Sequence, residues 1–221
     1  ILYRLVGSEM CIRDSFGGAP IVLNMLANAP KDQQKELKRK VYVLTAGAPP
    51  PSIIFEKMKK LGFEVMHVYG LTETYGHILQ CAWNDEWDGL DQDNQNEIKA
   101  RQGVRYPNTE GVVVMDPETM KPIPHDGKTM GEIMIRGNVV MKGYFKDKEA
   151  TEKSMEGGWF HSGDLAVTHP SGYIKIQDRS KDIIISGGEN ISSIEIENTI
   201  SKHPAVSLSL IHISEPTRRY R

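Results

Sequence analysis

Cysteine is nearly absent: Cys11 and Cys81 are the only two in 221 residues. That excludes a dense disulfide scaffold and a zinc site built from cysteines. Paired His and Cys at ligand spacing and the HExxH pattern are missing as well. No run of 18 apolar residues occurs, so no membrane-spanning helix is expected. Charge of one sign is also lacking. The 27 Lys+Arg face 29 Asp+Glu, a net charge of −2, so the bulk charge offers no basic surface for nucleic acid. What is present is a globular composition, 39% hydrophobic and 25% charged. A chain of this length makes one domain, or one large piece plus a small one, with material for a sizeable core.

The two ends do not continue the pattern of the middle. Residues 1–15 read ILYRLVGSEMCIRDS and residues 207–221 read SLSLIHISEPTRRYR. One nucleotide string can encode Leu208 to Arg218 on one strand and Leu5 to Asp14 on the other, and that string resembles a transposon-type sequencing adapter. Both tails are therefore expected to be non-native, and Cys11, His203 and His212 carry little weight as functional residues.

Between the tails, Phe16-Gly-Gly-Ala-Pro20 reads as a turn, followed by the apolar ladder Ile21, Val22, Leu23, Met25, Leu26 and a break at Ala29-Pro30. Val41 to Thr45 reads as a buried strand. A helix starts near Ser52, with Ile53, Ile54, Lys57, Met58 and Leu61 at helical spacing and Gly62 as its stop. Phe63 to Val68 is the next strand. The stretch 41–69 is thus a βαβ unit, whose loops at the carboxyl ends of the strands are open to ligands. Residues 83–102 are polar and acidic and read as a surface excursion. Beyond 110, short strands at 112–115, 131–136 and 172–177 sit between Pro, Asp and Gly turns, a smaller β-rich subdomain. A strand at 182–185, a turn at 186–190 and an amphipathic helix at 191–203 close the middle.

Several clusters could carry chemistry. Tyr69-Gly-Leu-Thr-Glu73 follows a strand. Thr72 could donate to a phosphate oxygen, Glu73 could ligate Mg²⁺, and Gly70 lets the backbone approach closely. A turn with a capping Thr–Glu pair fits the same five residues. Gly47-Ala-Pro-Pro-Pro51 lies at the end of the neighbouring strand, where a stiff loop could stack on a flat base or simply start a helix. In Gly158-Trp-Phe-His-Ser-Gly-Asp164, an Asp after glycine in a turn could accept both hydroxyls of a ribose, or form an Asx turn. His161 reads as structural. Arg179, in Asp178-Arg-Ser-Lys-Asp182, could reach a ribose or phosphate, or hold a salt-bridged turn. Ser186-Gly-Gly-Glu-Asn190 is not a Walker loop, since no Gly-Lys-Ser/Thr follows.

Taken in order, GAPPP (47–51), YGLTE (69–73), GEIMIRG (131–137), GWFHSGDLA (158–166) and DRSKDIIISGGENISSIEIE (178–197) resemble the acyl-adenylate-forming, AMP-binding enzymes. ETYG (73–76), ARQGVRYP (100–107), DPETMKP (116–122) and KTMGEI (128–133) look like the plant-type acyl-activating acid–CoA ligases in particular. The resemblance covers about 16 to 206. It implies an α/β fold: part of the large adenylate-forming domain, with a βαβ sheet layer and a small β-rich subdomain, and the start of the small C-terminal α+β domain. The implied division is 16–178 for the partial large domain, with its β-subdomain at about 110–178, a hinge at 179–181, and 182–206 for the start of the small domain.

The resemblance also implies roles. Gly47, Ala48 and Pro49 would line the adenine, Tyr69 would pack on it, and Thr72 would touch phosphate. Glu73 would hold Mg²⁺, and Asp164 and Arg179 would grip the ribose. Lys181 falls at the hinge, and Gly187 and Gly188 on the coenzyme A (pantetheine) tunnel. His77 and Ile78 would border the acyl pocket. The implied reaction is acid + ATP + CoA to acyl-CoA + AMP + pyrophosphate, with ATP/AMP, Mg²⁺ and coenzyme A as cofactors and co-substrates. The partners are a small carboxylic acid and CoA, without nucleic acid, in a peroxisomal or cytoplasmic setting. The phosphate loop and the small-domain lysine of the family have no counterpart here, so the chain alone is expected to be inactive, with bare apolar sheet edge before residue 41. An adenylate former with another acyl acceptor, or a non-catalytic nucleotide-binding fragment, remains the alternative.

Overall fold

A computed structural model describes residues 14–34, 37–47, 52–186, 189–201, 203 and 205–206. Val41–Thr45 (β2) buries Val41, Val43 and Thr45 and exposes Tyr42 and Leu44. This alternation is the period-2 signature of a strand with one covered face. The covered face packs on two helices, Pro20–Ala27 (α1) and Ser52–Lys60 (α2). Pro20 stands in the first turn of α1, where its missing N–H is harmless. Lys57, Lys59 and Lys60 crowd the last turn of α2, where the helix dipole favours cations. Gly62, at φ +90°, turns the chain out of it. Leu23, Val43, Ile54, Phe55, Met58 and Val65 form the resulting core. Leu23 and Met58 are wholly buried, and side chains of this kind each contribute about 1.5–3 kcal/mol.

Phe63–Leu71 (β3) runs parallel to β2, with Val43 opposite Val65 and Thr45 opposite His67. Ser15–Gly17 (β1) pairs parallel with the other edge of β2. Gly76–Gln80 (β4) and Val104–Arg105 (β5) complete the sheet antiparallel, in the order β1-β2-β3-β4-β5. A second, antiparallel sheet is built from Gly111–Met115 (β6), Gly131–Arg136 (β7), Phe160–Thr168 (β8) and Ile174–Arg179 (β9). A hairpin of Ile184–Ser186 (β10) and Glu189–Ile191 (β11) and the helix Ser193–Ser201 follow. One apolar cluster joins the two sheets: Tyr69, Ile78 and Leu79 from the first meet Val112, Val114, Ile133, Ile135, Phe160 and Ala166 from the second. That shared core brings the end of β3 against the middle of β8.

The structure departs from the sequence reading in several places. β2 is not buried on both faces, for Tyr42 is 57% and Leu44 47% exposed. The residues read as a turn at 16–17 are strand, so the edge of β2 expected to lie bare is partly covered. β3 runs to Leu71, past the expected end at Val68, because β4 gives its last residues an antiparallel partner. The polar stretch 83–102 is not merely a surface excursion. It contains the helix Gln92–Lys99 (α3), capped by Asp91, whose side chain accepts from the Asn94 N–H at 2.9 Å. Gln95, Asn96 and Ile98 are buried, and Gln95 Nε2 donates to the carbonyls of Leu90 and Asp88 at 2.9 and 3.1 Å. The amides are polar but paired, so their burial is tolerated. The segment around Asp164, expected as a turn, is a nine-residue strand. The strand expected from 182 begins at Ile184 and the helix expected from 191 begins at Ser193, because Glu189–Ile191, expected as turn and helix start, pairs with Ile184–Ser186 as a strand.

Candidate functional site

Tyr69 is buried at the end of β3, and the strand bulges immediately after it, between Tyr69 and Gly70. A Cβ on Gly70 would lie 1.9 Å from the Gly76 carbonyl oxygen and 2.7 Å from His77 Cα. Only glycine lets β4 fold back so closely. The chain then makes a short 3₁₀ turn, Thr72–Thr74. Thr74 braces it: its hydroxyl accepts from the Leu71 N–H at 2.9 Å and faces the carbonyls of Leu71 and Gly76 at 3.0 and 2.9 Å. The turn leaves Thr72 exposed and Glu73 half-buried. Tyr144 donates its hydroxyl to Glu73 Oε1 at 3.1 Å, and the Met141 N–H donates to the Glu73 carbonyl at 2.7 Å. The loop after β7 is thereby tied to the turn.

Asp164 lies in β8 opposite Arg179 of β9. Its side chain is 6% exposed, that of Arg179 55%. Tyr69 donates its hydroxyl to Asp164 Oδ2 at 2.6 Å, across 95 residues of sequence. Arg179 Nε lies 3.2 Å from the other oxygen, Oδ1. Burial pushes the Asp164 carboxyl above the usual carboxylate range, although the Tyr69 bond and the Arg179 charge both pull the other way. Burial likewise pushes the Tyr69 phenol up, and the neighbouring Asp164 charge adds to it. A carboxylate offers about four acceptor sites. Two are engaged, leaving capacity for a pair of hydroxyls.

The remaining expected residues fall as follows. Gly47, exposed at φ +100°, follows β2, and apart from its chain neighbours no atom of the described residues lies within 4 Å of where a Cβ would stand. It shares the carboxyl edge of the sheet with Thr72. Ala48, Pro49, Gly187 and Gly188 lie outside the described residues. Lys181 is exposed in the turn after β9. Asp178, three residues earlier, is 2% exposed and accepts from the Arg179 N–H at 2.8 Å and the Ser193 N–H at 2.6 Å, fixing the start of the last helix. His77 meets the Tyr106 ring edge-on at 4.5 Å. Ile78 is 0% exposed and belongs to the core rather than to a pocket wall. His161 is structural, as the sequence indicated: its two ring nitrogens face Glu132 Oε2 and the Glu156 carbonyl, each at 3.2 Å. Among the described residues, no three His, Cys, Asp or Glu side chains gather as a metal site. A cation at Glu73 would take its other ligands from phosphate oxygens and water, a mode that suits Mg²⁺. The bracing roles of Thr74, Tyr144 and Asp178 went unread in the sequence. Of the three, only Thr74 left a local signal, a hydroxyl three residues after Leu71.

The family model described as AMP-binding enzyme matches residues 14–145. The chain is 58% identical over 207 residues to an acetate–CoA ligase of Humulus lupulus, covering 93% of this chain and 36% of that protein. It is 55% identical over 208 residues to a peroxisomal acetate/butyrate–CoA ligase of Arabidopsis thaliana, with the same coverage of 93% and 36%. The chain thus spans about a third of the length of the curated relatives it matches. Among solved structures, it resembles the O-succinylbenzoate coenzyme A synthetase of Bacillus subtilis in complex with AMP. The TM-score is 0.70 and the identity 29%, over 91% of this chain and 39% of that one.

Proposed function

This chain belongs to the AMP-binding enzyme family, and from that premise we propose that it carries the nucleotide-gripping part of an ATP-dependent carboxylic acid–CoA ligase. The observation that carries the reading is the Asp164 carboxylate, held between the Tyr69 hydroxyl at 2.6 Å and Arg179 Nε at 3.2 Å. It joins three separate motifs at one point, beside the turn that presents Thr72 and Glu73. Asp164 accepts the two ribose hydroxyls of the nucleotide, and Arg179 closes over them. Tyr69, its ring buried in the core between the two sheets rather than open to a base, orients Asp164. Thr72 donates to phosphate.

In the first half-reaction a carboxylate oxygen attacks the α-phosphorus of ATP and pyrophosphate departs, leaving acyl-AMP. In the second, the thiol sulfur of coenzyme A attacks the acyl carbonyl, AMP departs and the thiol proton goes to solvent. Mg²⁺, held by Glu73, would offset charge on the phosphates. Lys181 serves as the hinge between the two halves, and His77 borders the acid. The acid is a small one, by analogy with the acetate and butyrate named for two relatives, and the same analogy makes a peroxisomal or cytoplasmic setting fitting. The test has two levels. Calorimetry on the 221-residue chain should show AMP binding that Asp164→Asn weakens. A protein of the relatives' length carrying this segment should exchange pyrophosphate into ATP only with a carboxylic acid present, and release AMP only when CoA is added. AMP binding indifferent to Asp164, or AMP release with amines but not CoA, overturns the reading.

A further inference from the structure

Nothing adjacent to Asp164 in sequence explains how it is aimed. Pairing between β7 and β8 jumps from Glu132–Leu165 to Met134–His161. Ser162, Gly163 and Asp164 therefore stand opposite the single residue Ile133. Gly163 adopts φ +74°, which turns its N–H out of the ladder and leaves it needing an acceptor. Glu132 supplies one: its Oε1 accepts from the Gly163 N–H at 2.7 Å. Its Oε2 lies 3.2 Å from His161 Nδ1. The Gly163 carbonyl in turn accepts from the Ser180 N–H at 2.9 Å, next to Arg179. Glu132 is 8% exposed. It also sits close enough to Asp164 for the two like charges to repel, adding to the rise of the Asp164 carboxyl. A buried carboxylate beside a second one is unfavourable, so its presence calls for a compensating benefit. That benefit is the bulge, because bulges re-aim side chains out of the regular pleat.

We propose that Glu132 is a positioning residue for nucleotide binding. By holding the Gly163 N–H it fixes the β8 bulge in the register that presents Asp164 to the ribose hydroxyls. The inference rests on the ribose role of Asp164 and deepens it. A merely structural glutamate would alter stability and leave hydroxyl discrimination intact.

The experiment compares AMP with 2′,3′-dideoxy-AMP by calorimetry on the 221-residue chain, as wild type, Glu132→Gln, Glu132→Leu and Glu132→Asp, while NMR follows the Gly163 amide. The wild type should prefer AMP by about ten- to a hundredfold, the worth of hydrogen bonds to a charged group. Glu132→Gln keeps an acceptor at the same reach and should keep the preference. Glu132→Leu, and Glu132→Asp with its shorter reach, should lose it while binding the dideoxy nucleotide within about twofold of wild type. The Gly163 amide should be protected from exchange in wild type and Glu132→Gln and exposed in the other two. Retention of the preference in both Glu132→Leu and Glu132→Asp overturns the inference. Where Glu132→Leu does not fold, Glu132→Asp decides alone. A wild type that fails to distinguish the two nucleotides, or binds neither, overturns the ribose reading instead. The Gly163 amide then judges the brace, which fails if protection survives in Glu132→Asp.

Discussion

Tyr69→Phe removes one oxygen and leaves the ring in place, so it isolates the bond to Asp164. The Asp164 side chain is 6% exposed, so water cannot readily replace the lost donor. Breaking a hydrogen bond to a buried charged group costs about 1.5–3 kcal/mol, and about 2 kcal/mol is expected here once Asp164 is ionised. The cost should depend on pH, with a definite sign. The Asp164 carboxyl titrates above its unfolded value. Its favourable contribution is therefore complete below the unfolded range near 3.8 and is lost as pH rises through the folded pKa. The Tyr69 bond favours the charged form and restrains that loss. Tyr69→Phe should push the Asp164 titration higher still, and the penalty should be largest where Asp164 is ionised and shrink where it is protonated. The assay is urea unfolding of both proteins above and below the Asp164 titration, itself read from the ¹³C carboxyl NMR shift. An equal penalty on both sides, or an Asp164 titration that stays put or falls, would refute the reasoning.

Gly70→Ala puts a Cβ 1.9 Å from the Gly76 carbonyl oxygen. Backbone must move, so a loss of about 3 kcal/mol is expected in urea titration. His67 is buried, and burial depresses its pKa from 6.5 to about 4. The folded form resists protonation that the unfolded form accepts, so stability should fall as pH drops from 6.5 toward 4. The linkage amounts to about 3 kcal/mol, and His67→Gln should flatten that slope in unfolding curves across the range. Asp164→Asn removes a charge that burial penalises while keeping an oxygen for the Tyr69 hydroxyl. Its melting temperature at pH 8 should match or exceed wild type while AMP affinity drops by about tenfold or more. A parallel loss of both would mean that Asp164 serves stability rather than binding.

How much of this was legible in the sequence follows from the range of the contacts. The β2–α2–β3 unit was readable because its signals are local: Val41, Val43 and Thr45 at period 2, Ile54 and Met58 one helical turn apart, and Gly62 as the stop. The close backbone approach at Gly70 and the turn at Thr72 were readable too, again within five residues. Asp164 was identified with the wrong geometry, a turn instead of a strand. The reason is that its bulge depends on Glu132, 31 residues before Gly163 and on another strand. The Glu73–Tyr144 bond, across 71 residues, left no signal in either segment alone. Burial too was misjudged where partners are distant: Ile78 follows a polar motif and looked like pocket wall, yet it fills the seam between the two sheets. The short strings thus name the residues proposed to carry the chemistry, but a string containing Glu132 or Thr74 does not show which distant backbone group that residue holds. Substitutions at Glu132, Thr74 or Tyr144 should therefore disturb the site as much as changes at Tyr69, Thr72 or Asp164, because each holds a backbone group or carboxylate whose position those residues cannot set alone.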